Sequence, residues 1–321
     1  MKRIAVMTSG GDAPGMNACI RAVVRCGIDK DMEVYGVKRG FEGLIDGELF
    51  QMTRRDVGSI LHRGGTKLAT SRSDRFMTPE GQEQAMNVLK TFAIDGLVII
   101  GGNGSLTGGL ALAKRGIAII GVPGTIDNDL SYTDYTIGFD TAVNTVLDAV
   151  SKIRDTSSAH SRNTVVEVMG RNCGDIAKYA GITCGAEAVL VPEEDYDIRE
   201  ISQKVLEGIN RGKKHSIIIK AEGSKGTTEE VTEMIEELTG KDTKMVALSY
   251  IQRGGSPTAM DRMIATLTGA RAVDLLDESS ESWAVGIKDN KVVHYPLEEA
   301  LGMERNRDDY YLMELVDVLS R

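Results

Sequence analysis

The sequence contains little cysteine, little proline and few aromatic residues. Its 321 residues include four cysteines, six prolines and one tryptophan, and aromatic side chains make up 5%. The cysteines form no C-x-x-C pair, so the sequence predicts free thiols in a reducing cytosol rather than a disulfide framework. The shortage of aromatic rings argues against sites that stack nucleic-acid bases or hold carbohydrate on an aromatic platform.

Long apolar runs and an excess of positive charge are also missing. After the basic start, the apolar run covers only Ile4 to Met7, which is far too short for an export signal. The uncharged stretch 96–113 is rich in glycine and polar residues, unlike a membrane span. A net charge of −9 disfavours a nucleic-acid-binding protein but leaves room for a local basic pocket. These features predict a cytoplasmic protein without nucleic-acid or membrane partners.

Short β-branched runs alternate with longer amphipathic segments along most of the chain. This alternation predicts an α/β fold with doubly wound parallel sheets, in which ligands bind beyond the carboxyl ends of the strands. A domain boundary is predicted near residues 138–142, where a loop meets a long helix. The predicted strands are 4–7, 34–37, 97–100, 117–121, 164–168, 188–191, 216–221 and 283–287. The predicted helices are 16–27, 79–92, 107–114, 141–156, 198–210, 228–238 and 261–276.

Glycine is abundant, and it is clustered behind predicted strands. The sequence has 36 glycines, above the usual share of about 7%. The first strand leads into the segment 8–17, TSGGDAPGMN, and the third leads into GGNGS at 101–105. A glycine-rich strand end followed by a helix N-terminus is typical of a site that binds phosphate. The alternative interpretation is an ordinary βα turn that binds nothing. Neither loop matches the Rossmann or Walker pattern.

Carboxylates and guanidinium groups stand near the same strand ends. Asp127 and Asp129 follow the strand that enters GVPGTIDND, where one could take a proton and the other face a metal, unless the segment is only an Asx turn. Glu222 directly follows another strand and is a candidate acceptor for a sugar hydroxyl. Guanidinium forks suit phosphate, although each could be a solvated surface charge. The basic candidates beside small or glycine-rich sequence are Arg72, Arg162, Arg171 and Arg253.

Eight motifs together resemble the bacterial ATP-dependent 6-phosphofructokinases, the phosphofructokinase A family. The resemblance covers nearly the whole chain, and its most specific parts are GTIDND and MGR. It implies two Rossmann-like, three-layer αβα domains and transfer of a phosphoryl group from MgATP to the 1-hydroxyl of fructose 6-phosphate, the first committing step of glycolysis. The motifs are TSGGDAPGMNACIRAVVR, IGGNGS, GVPGTIDND, TIGFDTA, IRDTSSAHSR, VEVMGRNCGD, GKKHSIII and IQRGGSPTAMDR.

The resemblance also implies roles for individual residues. Asp127 matches the general base, Thr125 and Arg171 match groups that hold the transferring phosphoryl, and Arg72 bridges on the nucleotide side. The implied domains are 1–138 with 252–301 for ATP, and 139–251 with 302–321 for sugar phosphate. The ATP site would comprise Gly11, Arg72, Ser73, Gly102, Asn103, Gly104 and Ser105. The sugar-phosphate site would comprise Thr125, Ile126, Asp127, Arg162, Met169, Gly170, Arg171, Glu222, Lys244, Tyr250 and Arg253.

The resemblance further implies a homotetramer regulated by ADP and phosphoenolpyruvate. The cations at Arg162 and Lys244 would serve the sugar site of a neighbouring subunit. From the residues alone, the basic group that includes Arg21 and Arg25 is interpreted as ordinary solvated surface charge. The resemblance instead implies that these residues bind effectors. The implied effector site comprises Arg21, Arg25, Arg54, Ser59, Arg154, Gly185, Glu187, Arg211, Lys213 and His215.

The sequence departs from the family pattern at several implied positions. Asn103 stands where the family has the aspartate that meets Mg²⁺, so Asp129, acting through water, becomes the other candidate for the metal. Lys244 and Tyr250 replace an arginine and a histidine at the sugar-phosphate site, and Ser59 replaces an effector-site aspartate of many relatives. Small residues at Gly104 and Gly124, where pyrophosphate-using relatives have Asp and Lys, favour ATP as donor.

Three alternatives remain open at this point. The chain could phosphorylate another sugar phosphate, such as tagatose 6-phosphate or sedoheptulose 7-phosphate. It could be a weakly catalytic regulatory subunit, which Asn103 favours and Asp127 opposes. It could be an NAD or lipid kinase with a related glycine loop, although neither class predicts GTIDND or MGR.

Overall fold

The computed structural model describes residues 2–304 and 310–320, and the chain divides into two compact units. Unit 1 comprises Met1–Thr141 with Arg253–Asn306, and unit 2 comprises Ala142–Gln252 with Arg307–Arg321. Within the described ranges, no helix is both long enough and apolar enough to cross a bilayer. The four cysteines are free thiols. The assignment of one unit to ATP and the other to sugar phosphate stays a prediction.

Twelve strands within the described residues form one sheet in each unit. The eight-stranded sheet of unit 1 has the order β12-β11-β5-β4-β1-β2-β3, with β6 paired to β5, and the sheet of unit 2 has the order β10-β7-β9-β8. The strands are β1 Arg3–Thr8, β2 Glu33–Val37, β3 Leu49–Gln51, β4 Gly96–Gly101, β5 Ala118–Thr125, β6 Ile137–Gly138, β7 Asn163–Val168, β8 Ala188–Leu190, β9 Ile217–Ala221, β10 Thr243–Ala247, β11 Trp283–Lys288 and β12 Lys291–Pro296.

Eleven α-helices within the described residues alternate with these strands. Several have sequence-encoded starts: the hydroxyls of Thr78, Thr227 and Thr258 each accept an N–H of the helix that follows. The helices are α1 Met16–Asp29, α2 Gly40–Ile45, α3 Pro79–Thr91, α4 Asn103–Ala113, α5 Phe139–His160, α6 Asp175–Cys184, α7 Ile198–Asn210, α8 Thr228–Thr239, α9 Ala259–Glu278, α10 Leu297–Gly302 and α11 Tyr310–Ser320.

Helices cover both faces of the unit 1 sheet. Helices α1 and α9 pack against each other beside the central strands, while α4 packs on β4 and β5 from the other face. Alternate strand residues, such as Ala5 and Ile99, share a buried core with Leu89 of α3 and Leu106 of α4. This burial on two faces explains why β1 and β4 are continuous apolar runs. In unit 2, α7 and α8 pack together over Val165 and Ile218.

The structure confirms the predicted fold class, two α/β units with mostly parallel sheets. Two pairings at the sheet edges are antiparallel, β2 with β3 and β11 with β12, and the sequence did not predict them. Two predicted boundaries beside the glycine-rich motifs are wrong. Helix α4 begins at Asn103 rather than at residue 107, and β5 continues to Thr125 rather than ending at residue 121. Both differences bring regular structure into the glycine-rich motifs themselves.

Candidate active site

The carboxyl ends of β1, β4 and β5 lie side by side in the unit 1 sheet. Strand β1 pairs with β4, and β4 pairs with β5, all in parallel. The chain runs from β1 outward to β2 in one direction and from β4 to β5 in the other, which makes the β1–β4 position a topological switch point. The N–H of Ser9 donates to the carbonyl of Ile100 at 3.0 Å and joins the two strand ends. Three sequence-predicted loops therefore meet at one edge.

The loop after β1 brings Gly11 and Arg253 together. A Cβ added at Gly11 would lie 1.9 Å from Nη1 of Arg253, so the guanidinium packs directly on the bare backbone of the glycine. Gly10 has φ +85, a conformation that a residue with a side chain rarely adopts, and its carbonyl accepts the hydroxyl of Thr70 at 2.7 Å. Any side chain at position 11 would displace Arg253.

The predicted phosphate loop after β4 is the first turn of α4. Gly102 is the N-cap, and no side chain caps this helix end. The positive end of the helix dipole and its first amides therefore point out beyond the strand, which is the arrangement that binds phosphate. Asn103 and Gly104 are exposed at this end, and the carbonyl of Asn103 accepts the hydroxyl of Thr107 at 2.9 Å. Ser105 is buried beneath them.

The loop after β5 stands next to that helix end. A Cβ at Gly102 would lie 3.4 Å from Cβ of Thr125, so the two strand ends are in contact. The backbone N–H of Asp127 donates to Oγ1 of Thr125 at 3.2 Å, and Asp127 is 4% exposed. Ile126 is also buried, which leaves its backbone rather than its side chain for a ligand. The structure thus unites Thr125, Asp127 and the start of α4, as the sequence predicts.

Asn128 holds this loop in place, and sequence reasoning missed it. Its backbone has φ +54, its Oδ1 accepts the N–H of Thr136 at 3.0 Å, and its amide donates to the carbonyl of Asp134 at 3.2 Å. A left-handed residue other than glycine is uncommon and costs about 1 kcal/mol, so the paired side chain is what stabilises it. The signal in the sequence was an asparagine between two aspartates, because asparagine tolerates this conformation well.

A buried carboxylate oxygen next to this loop lacks a partner. Oδ1 of Asp129 is buried and accepts no hydrogen bond from the described part of the chain, and the same holds for the hydroxyl of Tyr132. Burial raises the pKa of Tyr132, and the nearby negative charge of Asp129 raises it further. An orphaned carboxylate oxygen suits a cation or an ordered water. Asp129 therefore fits the predicted metal site, whereas Asn103 offers only a neutral amide oxygen.

Arg72 and Ser73, both predicted for the ATP site, lie in the segment before α3. Arg72 is exposed. The hydroxyl of Ser73 donates to the carboxylate of Glu42, which also pairs with Arg75 at 2.6 Å. The Ser73 hydroxyl bond and the Arg75 charge hold the pKa of Glu42 below its ordinary range. The Ser73 side chain is thus already engaged by the protein.

In unit 2, the strand ends of β7 and β9 bring Gly170, Arg171 and Glu222 together. Oε1 of Glu222 accepts the backbone N–H of Gly170 at 3.3 Å and that of Arg171 at 2.9 Å. Met169 donates its N–H to the side chain of Gln252, a fully buried residue that sequence reasoning did not select. Glu222 therefore organises the loop after β7, in addition to its predicted role as an acceptor for sugar.

The remaining predicted sugar-site residues of unit 2 have separate partners. Arg162 donates to the hydroxyl of Thr156 at 3.3 Å, and Lys244 forms an ion pair with Asp242. The side chain of Tyr250 is 75% exposed.

Six of the ten predicted effector residues lie in unit 2, several of them around the end of α6. Arg154 donates to the carbonyl of Cys184, and Lys213 pairs with Glu187 at 3.3 Å. Burial lowers the pKa of His215, and the charge of Arg154 lowers it further. Gly185 ends α6 in the left-handed conformation, and Arg211 ends α7.

The other effector candidates lie in unit 1. Arg21 and Arg25 are half-buried on one face of α1, and Nε of Arg25 is buried without a hydrogen-bond partner among residues 2–304 and 310–320. Arg54 pairs with Asp29 at 3.1 Å, and Ser59 is exposed with φ +58. A buried guanidinium nitrogen without an acceptor suits an anion.

Comparison with known proteins gives close full-length relatives. The ATP-dependent 6-phosphofructokinase of Clostridium tetani is 56% identical over 320 residues and is covered completely, as is this chain. The ATP-dependent 6-phosphofructokinase of Clostridium novyi is 55% identical over 320 residues, again with complete coverage of both chains.

Solved structures show the same fold. Phosphofructokinase from Saccharomyces cerevisiae matches with 38% identity and a TM-score of 0.89, covering 100% of this chain and 48% of that one, so this chain spans about half of its length. The pyrophosphate-dependent enzyme of Marinobacter aquaeolei, at 21% identity and a TM-score of 0.84, supports the fold alone. The family model described as Phosphofructokinase matches residues 3–276, most of the chain. The family model covers most of the chain, and relatives that are 55–56% identical match it over its whole length. The chain therefore belongs to the phosphofructokinase family.

Proposed function

We propose that this chain transfers the γ-phosphoryl group of MgATP to the 1-hydroxyl of fructose 6-phosphate. The observation that carries the proposal is the contact between Gly102, at the uncapped start of α4, and Thr125, whose hydroxyl fixes Asp127. Phosphate oxygens bind at the helix start, and the Asp127 carboxylate accepts the proton of the sugar hydroxyl. The hydroxyl oxygen attacks the γ-phosphorus, the bond from that phosphorus to the bridging oxygen breaks, and ADP leaves. Thr125 and Arg171 hold the transferring group.

ATP is the proposed donor rather than pyrophosphate. A Cβ at Gly104 would meet no atom within 4 Å, so the space at this exposed position is open to a ligand rather than filled by a side chain. A Cβ at Gly124 would instead meet Ile100 at 2.7 Å and Met16 at 3.2 Å, so that glycine serves core packing. The steric argument for ATP therefore depends on Gly104. The other residues proposed to bind the nucleotide are Gly11, Arg72, Ser73, Asn103 and Ser105.

Mg²⁺ is the proposed metal. Asp129, with its unpartnered buried oxygen, would hold it directly or through water, and Asn103 would contribute a neutral oxygen. When bound, the ion neutralises charge on the phosphate oxygens and orients them. One of the two candidate ligands is a neutral amide, which binds a cation more weakly than a carboxylate does. We therefore expect that the enzyme needs a high Mg²⁺ concentration for half-maximal activity.

The proposed contacts to the sugar phosphate follow the roles that the family resemblance implies. Glu222 and the backbone of Met169 and Gly170 would contact the sugar, and Arg253 would contact its phosphate, with Ile126 contributing backbone. Tyr250 would add a hydroxyl. In the proposed assembly, Arg162 and Lys244 serve the site of a neighbouring subunit; in this chain, Arg162 donates to Thr156 and Lys244 pairs with Asp242.

We further propose a cytoplasmic homotetramer that responds to ADP and phosphoenolpyruvate. Met263 and Leu267, one turn apart on α9, are 60% and 43% exposed, and such an apolar stripe suits an interface with a second copy. The clusters at Arg25 and around Arg154 would bind the phosphates of the effectors. Light scattering after size-exclusion chromatography tests the assembly, and a monomer at micromolar concentration contradicts it.

An ADP-release assay with MgATP tests the function against its alternatives. Fructose 6-phosphate, tagatose 6-phosphate and sedoheptulose 7-phosphate are compared as acceptors, and pyrophosphate is compared as donor by its consumption. We expect the highest kcat/KM for ATP with fructose 6-phosphate. A higher value for another sugar identifies a paralogue, and nucleotide binding without turnover on any acceptor identifies a regulatory subunit.

A further inference from the structure

Lys220 is a buried lysine outside the site described above. It lies on β9 between Glu167 of β7 and Leu190 of β8, and its side chain is 1% exposed. Its ammonium donates to the carbonyls of Ala221 at 3.4 Å and Ser224 at 3.5 Å. It forms no ion pair within residues 2–304 and 310–320. Because an ammonium in a protein interior is costly without a partner, its two carbonyl contacts call for an explanation.

Those two carbonyls are the ends of one tight turn, residues 221–224. The carbonyl of Ala221 also accepts the backbone N–H of Ser224 at 3.0 Å and its hydroxyl at 2.9 Å. The ammonium therefore links the first and last residues of the turn from below, inside the core. Loss of the lysine side chain would remove the one contact in this set that reaches both ends of the turn at once.

The middle residues of this turn hold the backbone of Arg171. Glu222 accepts the N–H of Arg171 at 2.9 Å, and its own N–H donates to the carbonyl of Val168 at 2.8 Å. A Cβ added at Gly223 would lie 1.8 Å from the carbonyl oxygen of Arg171, so the turn also packs on the other side of the same residue. Arg171 has φ +52, a conformation that needs such support.

We propose that Lys220 is a positioning residue for phosphoryl transfer, which acts by fixing the 221–224 turn and, through Glu222 and Gly223, the backbone of Arg171. This inference rests on the proposed function, in which Glu222 binds sugar and Arg171 holds the transferring phosphoryl. Lys220 itself touches neither substrate.

The charge of Lys220 gives the proposal a pH signature. Burial lowers the pKa of Lys220, while the carboxylates of Glu167 and Glu229 oppose that shift. Glu167 accepts the hydroxyl of Thr228, the first residue of α8, so this carboxylate is itself fixed. As pH rises, Lys220 loses its proton below the ordinary lysine range, and the turn loses its charged link.

The test compares Lys220→Met with Lys225→Met. Lys225 is an exposed lysine just past the same turn, and its only ion pair in the described chain is with Asp195 at 3.4 Å. We expect Lys220→Met to raise KM for fructose 6-phosphate roughly tenfold or more, the effect of losing a hydrogen bond to a charged group, with KM for ATP unchanged. The rise of this KM at alkaline pH in the parent should be absent in the variant. Lys225→Met should behave as the parent in each measurement.

A second readout separates this inference from the proposed function. Hydrogen exchange of the peptide that contains Arg171 should be faster in Lys220→Met and unchanged in Lys225→Met. Ser224→Ala, which removes the hydroxyl bond to the carbonyl of Ala221, should shift both readouts in the same direction and serves if Lys220→Met does not fold. The proposal would be overturned if Lys220→Met kept the KM and the exchange rate of the parent. If only Ser224→Ala folds, the same result in that variant would overturn it. Failure of the parent on fructose 6-phosphate would overturn the proposed function and leave the exchange test valid.

Discussion

The backbone N–H of Asp127 donates to the hydroxyl oxygen of Thr125, so these two residues form one turn directly beyond β5. Because the hydroxyl accepts this bond, its own proton remains available to donate outward. The carbonyl of Thr125 accepts the hydroxyl of Thr136 at 2.6 Å, which fixes the turn from its other side. The Thr125 hydroxyl and the Asp127 backbone therefore keep a fixed spacing without help from a substrate.

Replacement of Asp127 by Ser should abolish turnover and leave nucleotide binding intact. A general base typically contributes about 10²–10⁴-fold to the rate, and the serine side chain cannot accept the proton at neutral pH. Single-turnover kinetics measures the chemical step, and titration with ATP measures binding. Turnover within threefold of the parent would remove Asp127 from the role of base.

Replacement of Asn103 by Asp should lower the Mg²⁺ concentration for half-maximal activity and raise turnover with fructose 6-phosphate. The added carboxylate supplies a full negative charge to a metal that phosphoryl transfer relies on. Asn87→Asp is the matched control, because Asn87 is an exposed helix residue whose carbonyl also accepts a threonine hydroxyl one turn on, from Thr91 at 2.7 Å. If Asn103→Asp is no better at any Mg²⁺ level, the metal is not held at this residue.

Replacement of Arg21 and Arg25 by Ala should abolish the responses to ADP and phosphoenolpyruvate at an unchanged maximal rate. The two guanidinium groups share one face of α1, and Arg25 keeps a buried nitrogen unpartnered among the described residues. Effector titrations of the variant and of Lys90→Ala, an exposed control on α3, measure this. Parent-like titration curves in the double variant would contradict the effector site.

Asp261 should make the free energy of unfolding depend on pH. Its carboxylate is fully buried and accepts the N–H groups of Gly138 and Thr141 at 2.8 Å each. Burial raises the pKa of Asp261 to about 6. The folded state therefore holds the proton more tightly than the unfolded chain, so this residue's contribution to stability is present at low pH and is lost as pH rises through about 6.

Comparison with Asp261→Asn isolates that contribution. Between pH 5 and 7, the parent should lose about 1 kcal/mol of unfolding free energy more than the variant, since only the parent titrates there. Chemical unfolding at several pH values measures the difference. Equal slopes for the two proteins would show that Asp261 keeps an ordinary pKa in the fold.

The sequence alone predicts the buried strands and the residues that follow them. Strands such as β1 and β4 are short apolar runs covered on both faces, and periodicity identifies such runs directly. It misses β10 and β12, because these edge strands are largely exposed and have mixed composition. It also misses α2, a six-residue helix with two glycines, whose stability comes from tertiary packing rather than from propensity.

The site was predicted as residue types, and its connections were not. Motif spacing identified Asp127, Glu222 and Arg171, but no pattern indicates that the Glu222 side chain binds the Arg171 backbone 51 positions away. Lys220 was missed for the same reason. The role of a single lysine in an apolar strand can be inferred only when its carbonyl partners in the following turn are known.

The most direct test of the proposed function is a ³¹P NMR spectrum of the parent protein with MgATP and fructose 6-phosphate. The account predicts that the γ-phosphate signal of ATP declines while a new phosphomonoester signal appears, coupled to the protons on carbon 1 of the sugar. Unchanged spectra at saturating Mg²⁺, or release of inorganic phosphate without a new sugar phosphate, would contradict it.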